Sequence, residues 1–195
     1  MENTNSLLSF YTDSRKEDLT FEEQSYILSL FKEEHFNKKS PIFFNGDSNT
    51  KHYFIKKGLL RLYIIDKSGK EFNILFAREH QVIGDLASPK PTIFNLDTIE
   101  DSIVYSITNE NLLALREKFS DEATLDSNSM LKRSYIFLQK RLVSILSKSA
   151  EENYIELKNN YSDLLQRLPQ YHIASYLGVS AEFLSKIITR TTKNI

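Results

Sequence analysis

The chain of 195 residues contains no cysteine. That excludes disulfides, thiolate metal sites, cysteine nucleophiles and cysteine-ligated iron–sulfur clusters. No apolar run approaches the roughly 18 residues that a membrane-spanning helix needs. Met1 leads into a polar segment without the basic-then-apolar order of a secretory signal, so a cytoplasmic, non-membrane protein is expected. Neither charge dominates: 25 basic and 26 acidic side chains leave a net charge of −1. Glycine is scarce, with only five, and four of them fall between residues 46 and 84.

Enzyme signatures are also missing. No paired carboxylates share a spacing, no Ser-His-Asp arrangement has local support, and no glycine-rich phosphate loop is present. We expect no enzyme and no cofactor. The four histidines, His35, His52, His80 and His172, are scattered, and none pairs with another at helix or strand spacing. No metal site is expected from them.

What is present is order along the chain. At this length one to two small domains with real cores are available. Residues 1–19 are polar and read as partly frayed. Thr20 and Glu23 form a capping box before a helix expected to end near Glu34, with Phe21, Ile27, Leu28, Leu30 and Phe31 on its apolar side. Gly46, Gly58, Gly69 and Gly84 then punctuate short runs rich in β-branched and aromatic residues: 41–44, 52–56, 59–65, 71–76 and 98–107. Leu60, Leu62 and Ile64 alternate with Arg61, Tyr63 and Ile65. Asp66-Lys67-Ser68-Gly69 reads as a hairpin turn. Short strands at regular spacing argue a jelly roll or sandwich. A helix comes next at about 109–118, with Thr108 as N-cap.

Residues 121–149 lack both proline and glycine and read as one long helix. Leu131, Tyr135, Leu138, Leu142 and Ile145 recur at steps of four and three, the seam of a coiled coil and hence a dimer interface. Ile136, Phe137, Val143 and Leu146 form a second stripe, which could face the β region. A single helix buried within one subunit is the alternative. Residues 150–165 read as a further helix, with Tyr154, Leu157, Tyr161, Leu164 and Leu165 packing beneath the C-terminal segment.

The most informative stretch is 170–190, QYHIASYLGVSAEFLSKIITR. Pro169 suits a first helical position. Ile173, Ala174 and Leu177 give one apolar face, and Ala174 is small where two helices would cross. Gly178 suits a left-handed corner. Val179 can plug the angle, and Ser180 can cap a second helix. Leu184, Ile187 and Ile188 face inward. Ser180, Ala181, Glu182, Ser185, Lys186, Thr189 and Arg190 are left outward, where they can meet bases or phosphates. The alternative is an ordinary helical hairpin on a core. Residues 158–195 carry five basic and two acidic side chains, a surplus of three that leaves the remainder at −4. A basic tail on an acidic body is compatible with phosphate contact.

This segment, from Arg167 through RLPQYHIASYLGVSAEFLSKI, resembles the C-terminal winged helix of the Crp/Fnr regulators, most closely the branch found in Bacteroidetes-type bacteria. In that branch the second helix usually opens Thr-Pro-Glu and carries Leu-Ser-Arg-Ile. Glu182, Leu184 and Ser185 match, whereas Lys186 stands for the usual Arg, and Ala181 stands where the best-known members hold another base-contacting Arg. Lysine is a point charge and cannot make a bidentate fork to guanine. The β region likewise resembles the cyclic-nucleotide-binding β-roll. The resemblance implies an α+β chain with three parts: a cyclic-nucleotide-binding-like jelly-roll sensor domain (1–120), a long dimerisation helix (121–149) and a winged helix-turn-helix DNA-binding domain (150–195).

It also places an effector pocket. Cyclic-AMP binders carry Gly-Glu-Leu early in a phosphate cassette and Arg-Ser about ten residues later. Here the first part is Gly84-Asp85-Leu86, and the second reads Pro91-Thr92-Ile93-Phe94-Asn95. No arginine lies between Arg78 and Arg116, and Lys90 could substitute only by turning inward. A buried phosphate without a cation would lose several kcal/mol in desolvation. Cyclic AMP and cyclic GMP are therefore not expected to bind. Phe94, Phe76 and Leu86 are expected to fill the cavity, with an unidentified small-molecule effector as the alternative.

The expected function is a homodimeric transcription regulator that reads a palindromic site on double-stranded DNA through the 181–190 helix, with RNA polymerase as a further partner if it activates. The alternative is a sensor-like interaction module that no longer reads DNA.

Overall fold

The computed structural model describes residues 5–12, 18–48, 51–85, 91–119 and 127–193. By packing, the chain divides into two units: Met1–Leu62 with Phe76–Leu131, and Tyr63–Leu75 with Lys132–Ile195.

In the first unit, the helix α1 spans Asn5–Thr12. Within the segment expected to be partly frayed, these eight residues are helical, and 1–4 and 13–17 lie outside the described residues. Leu7 and Leu8 are buried in the core with Ile27, Phe54, Tyr105 and Leu115, and that packing holds a helix too short to persist alone. The second helix, α2, spans Phe21–Ser29 and opens on the expected capping box: Glu23 N–H donates to the Thr20 hydroxyl at 3.2 Å, and Thr20 N–H to the Glu23 carboxylate at 2.7 Å. It ends five residues before Glu34, because Lys32–Phe36 forms the strand β1. That strand pairs antiparallel with β8 (Ser102–Thr108), and its charged residues hide it from sequence reading.

The other strands are β2 (Pro41–Phe43), β3 (Lys51–Lys57), β4 (Leu60–Ile65), β5 (Glu71–Ala77), β6 (Val82–Ile83) and β7 (Asn95–Thr98). One sheet has the order β1-β8-β3-β6 and the other β2-β7-β4-β5. The run expected at 98–107 is two strands, because Ile99–Asp101 form a bend between β7 and β8. The hairpin turn at 66–69 is as expected. Asp66 N–H donates to Lys70 carbonyl at 3.0 Å, and the Asp66 carboxylate accepts from the N–H groups of Ser68 and Lys70. The simple inside-outside alternation in β4 fails. Leu60, Arg61, Leu62 and Tyr63 are all buried, and Arg61 reaches both carboxylate oxygens of Asp97 at 2.7 Å. A bidentate pair of this kind is how a guanidinium tolerates burial. The helix α3, Asn109–Lys118, begins at the Thr108 cap as expected.

In the second unit, the helix α4 spans Ser127–Ser147; residues 121–126 of the expected long helix lie outside the described residues. The expected helix at 150–165 is two, α5 (Ala150–Asn160) and α6 (Ser162–Arg167), because Tyr161 leaves helical geometry at φ −142°. Tyr154 and Leu164 are buried, whereas Tyr161, expected to pack inward, is exposed. Next come α7 (Gln170–Leu177) and α8 (Ala181–Lys193). Among the described residues no strand follows Thr108.

Candidate nucleic-acid interface and effector pocket

The two C-terminal helices meet at Gly178, which closes α7 in the left-handed conformation at φ 72° and ψ 23°. Its N–H donates to the Ser175 carbonyl and the next N–H, of Val179, to the Ala174 carbonyl, the bonding that ends a helix at a glycine. Pro169 is the residue before the helix rather than its first, with ψ 142°. Ser180 caps α8 by accepting from Phe183 N–H at 3.2 Å. Ala174 is buried, as a close crossing requires, and Leu184 and Ile187 are sealed inside. Burial of each such side chain is worth about 1.5–3 kcal/mol.

That packing decides which way the rest of α8 points. Ala181, Glu182, Ser185, Lys186, Thr189 and Arg190 are all exposed, as is Ser180. The structure therefore brings the seven sequence-derived residues onto one face. Glu182 is held ionised below the ordinary glutamate range, first by its hydrogen bond to the Ser180 hydroxyl. Thr189 donates to the Ser185 carbonyl at 2.9 Å, so its hydroxyl is partly committed to the helix. Arg190 lies 3.9 Å from Glu151 and remains exposed to solvent. Phe183, which sequence reading used only to open the helix, is 45% exposed on the same side. An apolar ring there is the kind of group that contacts a thymine methyl.

Behind this face sequence reading missed a polar framework. Ser175 on α7 accepts from Asn73 N–H at 3.0 Å and donates to the Glu71 carbonyl at 2.7 Å. Asn73, which is 1% exposed, donates its side-chain amide to the His172 carbonyl at 3.1 Å. Its amide nitrogen also lies 3.3 Å from His172 Nδ1. Arg141 on α4 stacks on the Tyr176 ring, 3.5 Å from its centre, and donates to the Tyr176 carbonyl. No periodicity marks these residues; partners about a hundred positions apart are invisible to local patterns.

On α4, Tyr135, Leu138, Leu142 and Ile145 are exposed, and the Leu131 side chain lies outside the described residues. The second stripe is exposed as well at Ile136, Val143 and Leu146. No helix among the described residues is long and apolar enough to cross a membrane.

Among the described pocket residues, Gly84, Asp85 and Pro91–Asn95, there is no cation. Gly84 is buried against β3, where an added Cβ would stand 3.1 Å from the Lys51 carbonyl oxygen. Thr92 lies in the 91–95 run where the resemblance expects Arg-Ser; it is buried and donates a hydrogen bond to the Asp85 carboxylate. The buried Arg61 is engaged by Asp97. Phe94 and Phe76 are half-buried, whereas Leu86 and Lys90 lie outside the described residues. Near Gly84, buried His52 sets Nε2 2.6 Å from Asn109 Oδ1, and its Nδ1 has no hydrogen-bond partner. Burial keeps that imidazole neutral by pushing its pKa below the ordinary value.

The cyclic nucleotide-binding domain profile matches residues 33–119. No curated protein matches the sequence. Among solved structures, FixK2 from Bradyrhizobium japonicum is 16% identical at a TM-score of 0.70, covering 84% of this chain and 85% of its own. A CooA variant from Carboxydothermus hydrogenoformans is 18% identical at a TM-score of 0.70, covering 93% of this chain and 82% of its own. A protein from Eubacterium rectale described as a transcriptional regulator of the crp/fnr family is 16% identical at a TM-score of 0.69, covering 91% of this chain and 85% of its own. The chain thus matches the cyclic nucleotide-binding domain over residues 33–119 and shares the fold of FixK2, the CooA variant and the Eubacterium rectale regulator.

Proposed function

We propose that this protein is a dimeric transcription regulator that reads a two-fold symmetric DNA site through α8. The observation that carries the reading is the division of that helix. Leu184 and Ile187 are buried, while an unbroken outer face offers a lysine, an arginine, hydroxyls and a carboxylate at helical spacing. Such a helix fits a major groove, and two copies would enter successive grooves about 34 Å apart. Lys186 and Glu182 are the candidates for base edges. Ser180, Ser185, Thr189 and Arg190 are candidates for phosphates or bases, and Ala181 for close apolar approach. The dimer is supported by the exposed apolar seam of α4, which water would otherwise cover at a cost. RNA polymerase belongs to this reading only for an activator.

The same reading holds that cyclic AMP and cyclic GMP are not effectors. Thr92 is paired with Asp85, which puts a carboxylate beside the run that the resemblance assigns to the phosphate, and the buried Arg61 is paired with Asp97. Isothermal calorimetry should show no micromolar binding of either nucleotide. The whole reading is tested by selecting duplexes from a random pool at low salt. Recovery of a palindrome with half-sites one helical turn apart is expected; recovery of no motif would favour an interaction module without DNA reading.

A further inference from the structure

The hairpin segment Tyr63–Leu75 falls in one compact unit with Lys132–Ile195. Its second strand, β5, lies at the edge of its sheet. An edge strand presents N–H and C=O groups with no strand to receive them. Here the Asn73 N–H and the Glu71 carbonyl, two residues apart and so directed to the same side, are both satisfied by one hydroxyl, that of Ser175. The buried Asn73 side chain adds a second bond to α7, at the His172 carbonyl. A carbonyl oxygen can only accept, so the amide must present its NH2 group there. The orientation of Asn73 is thereby fixed, and with it the register of α7 on the strand.

We infer that Ser175 and Asn73 are positioning residues for DNA reading: the β5 edge sets the pose of α7, and through the Gly178 corner sets the pose of α8. This rests on the DNA-binding function proposed for α8. The contact is a support and not a cover, because the outer face of α8 stays exposed while it is made.

The test uses full-length protein and the duplex recovered by selection. Ser175→Ala removes the hydroxyl that bonds the Asn73 N–H and the Glu71 carbonyl, and should lower affinity for that duplex about tenfold, the worth of one or two lost hydrogen bonds, while affinity for random duplex changes less than about twofold. Ser175→Thr keeps the hydroxyl and should restore specific affinity. A general loss of stability would lower both affinities together and would not discriminate in this way. Asn73→Asp, which removes the donor at constant size, serves if Ser175→Ala does not fold. Hydrogen exchange of the α7 amides is read in parallel and should quicken in Ser175→Ala. Unchanged specific affinity with unchanged α7 exchange would overturn the proposal. If the wild type selects no duplex, the DNA-binding reading fails by itself, and α7 exchange still decides whether the hairpin holds that helix.

Discussion

Single residues set the proposed reading surface and its cost. Lys186 is the most central cation on the outer face of α8, and its loss should act on specificity. Lys186→Ala is expected to weaken binding to the selected duplex by about 1–3 kcal/mol and to relax preference at one position per half-site, measured by gel shift against single-base variants. Gly178 has open space where a Cβ would go, so its substitution costs backbone strain alone. Gly178→Ala should destabilise by about 1–2 kcal/mol, seen as a fall in chemical-denaturation midpoint at unchanged slope. Acid sensitivity belongs at this scale too. Glu33 is lowered from 4.5 to about 2, first by its hydrogen bond from Lys56 and next by that from His35. A carboxylate with a depressed folded pKa stabilises above the unfolded value and loses that contribution as pH falls from about 4.5 towards 2. Because the group is more than a third exposed, the effect should stay below about 1 kcal/mol. Lys56→Met should therefore lower stability slightly at pH 7 and scarcely at pH 2, by urea titration at both.

At the scale of elements, α4 carries the strongest expectation. Tyr135, Leu138, Leu142 and Ile145 stay more than half exposed in the single chain. Leu142→Glu should place a charge on that seam and shift sedimentation from dimer to monomer at micromolar concentration, leaving the helix content of the chain unchanged. Elements also show what was legible in sequence. The two C-terminal helices, the Asp66 turn and the Thr20 and Thr108 caps could be read, because each is written in a few adjacent residues whose chemistry is local. The α1 helix and β1 could not. Leu7 and Leu8 become informative only once a core exists to bury them, and Lys-Glu-Glu-His-Phe carries no strand pattern until β8 lies beside it. Tyr161 breaks a helix that its sequence gives no reason to break, and no capping side chain explains the position. The seven outer-face residues were legible from the period of α8, but Asn73, Ser175 and Arg141 were not, since their roles come from pairings across 35 to 104 positions.

For the whole molecule, charge is unevenly divided: residues 158–195 hold a surplus of three positive charges on a chain whose total is −1. Affinity for DNA should fall steeply with salt, with a log–log slope near −0.9 per phosphate neutralised, as filter binding across a salt series would show. A shallow slope would argue against phosphate contact. The exposed rod of α4 also bears on dosage. When two copies must meet before a two-armed target can be gripped, occupancy of that target rises with more than the first power of protein abundance. Expression level would then act as a threshold signal in its own right, one that needs no metabolite to arrive in the β-roll.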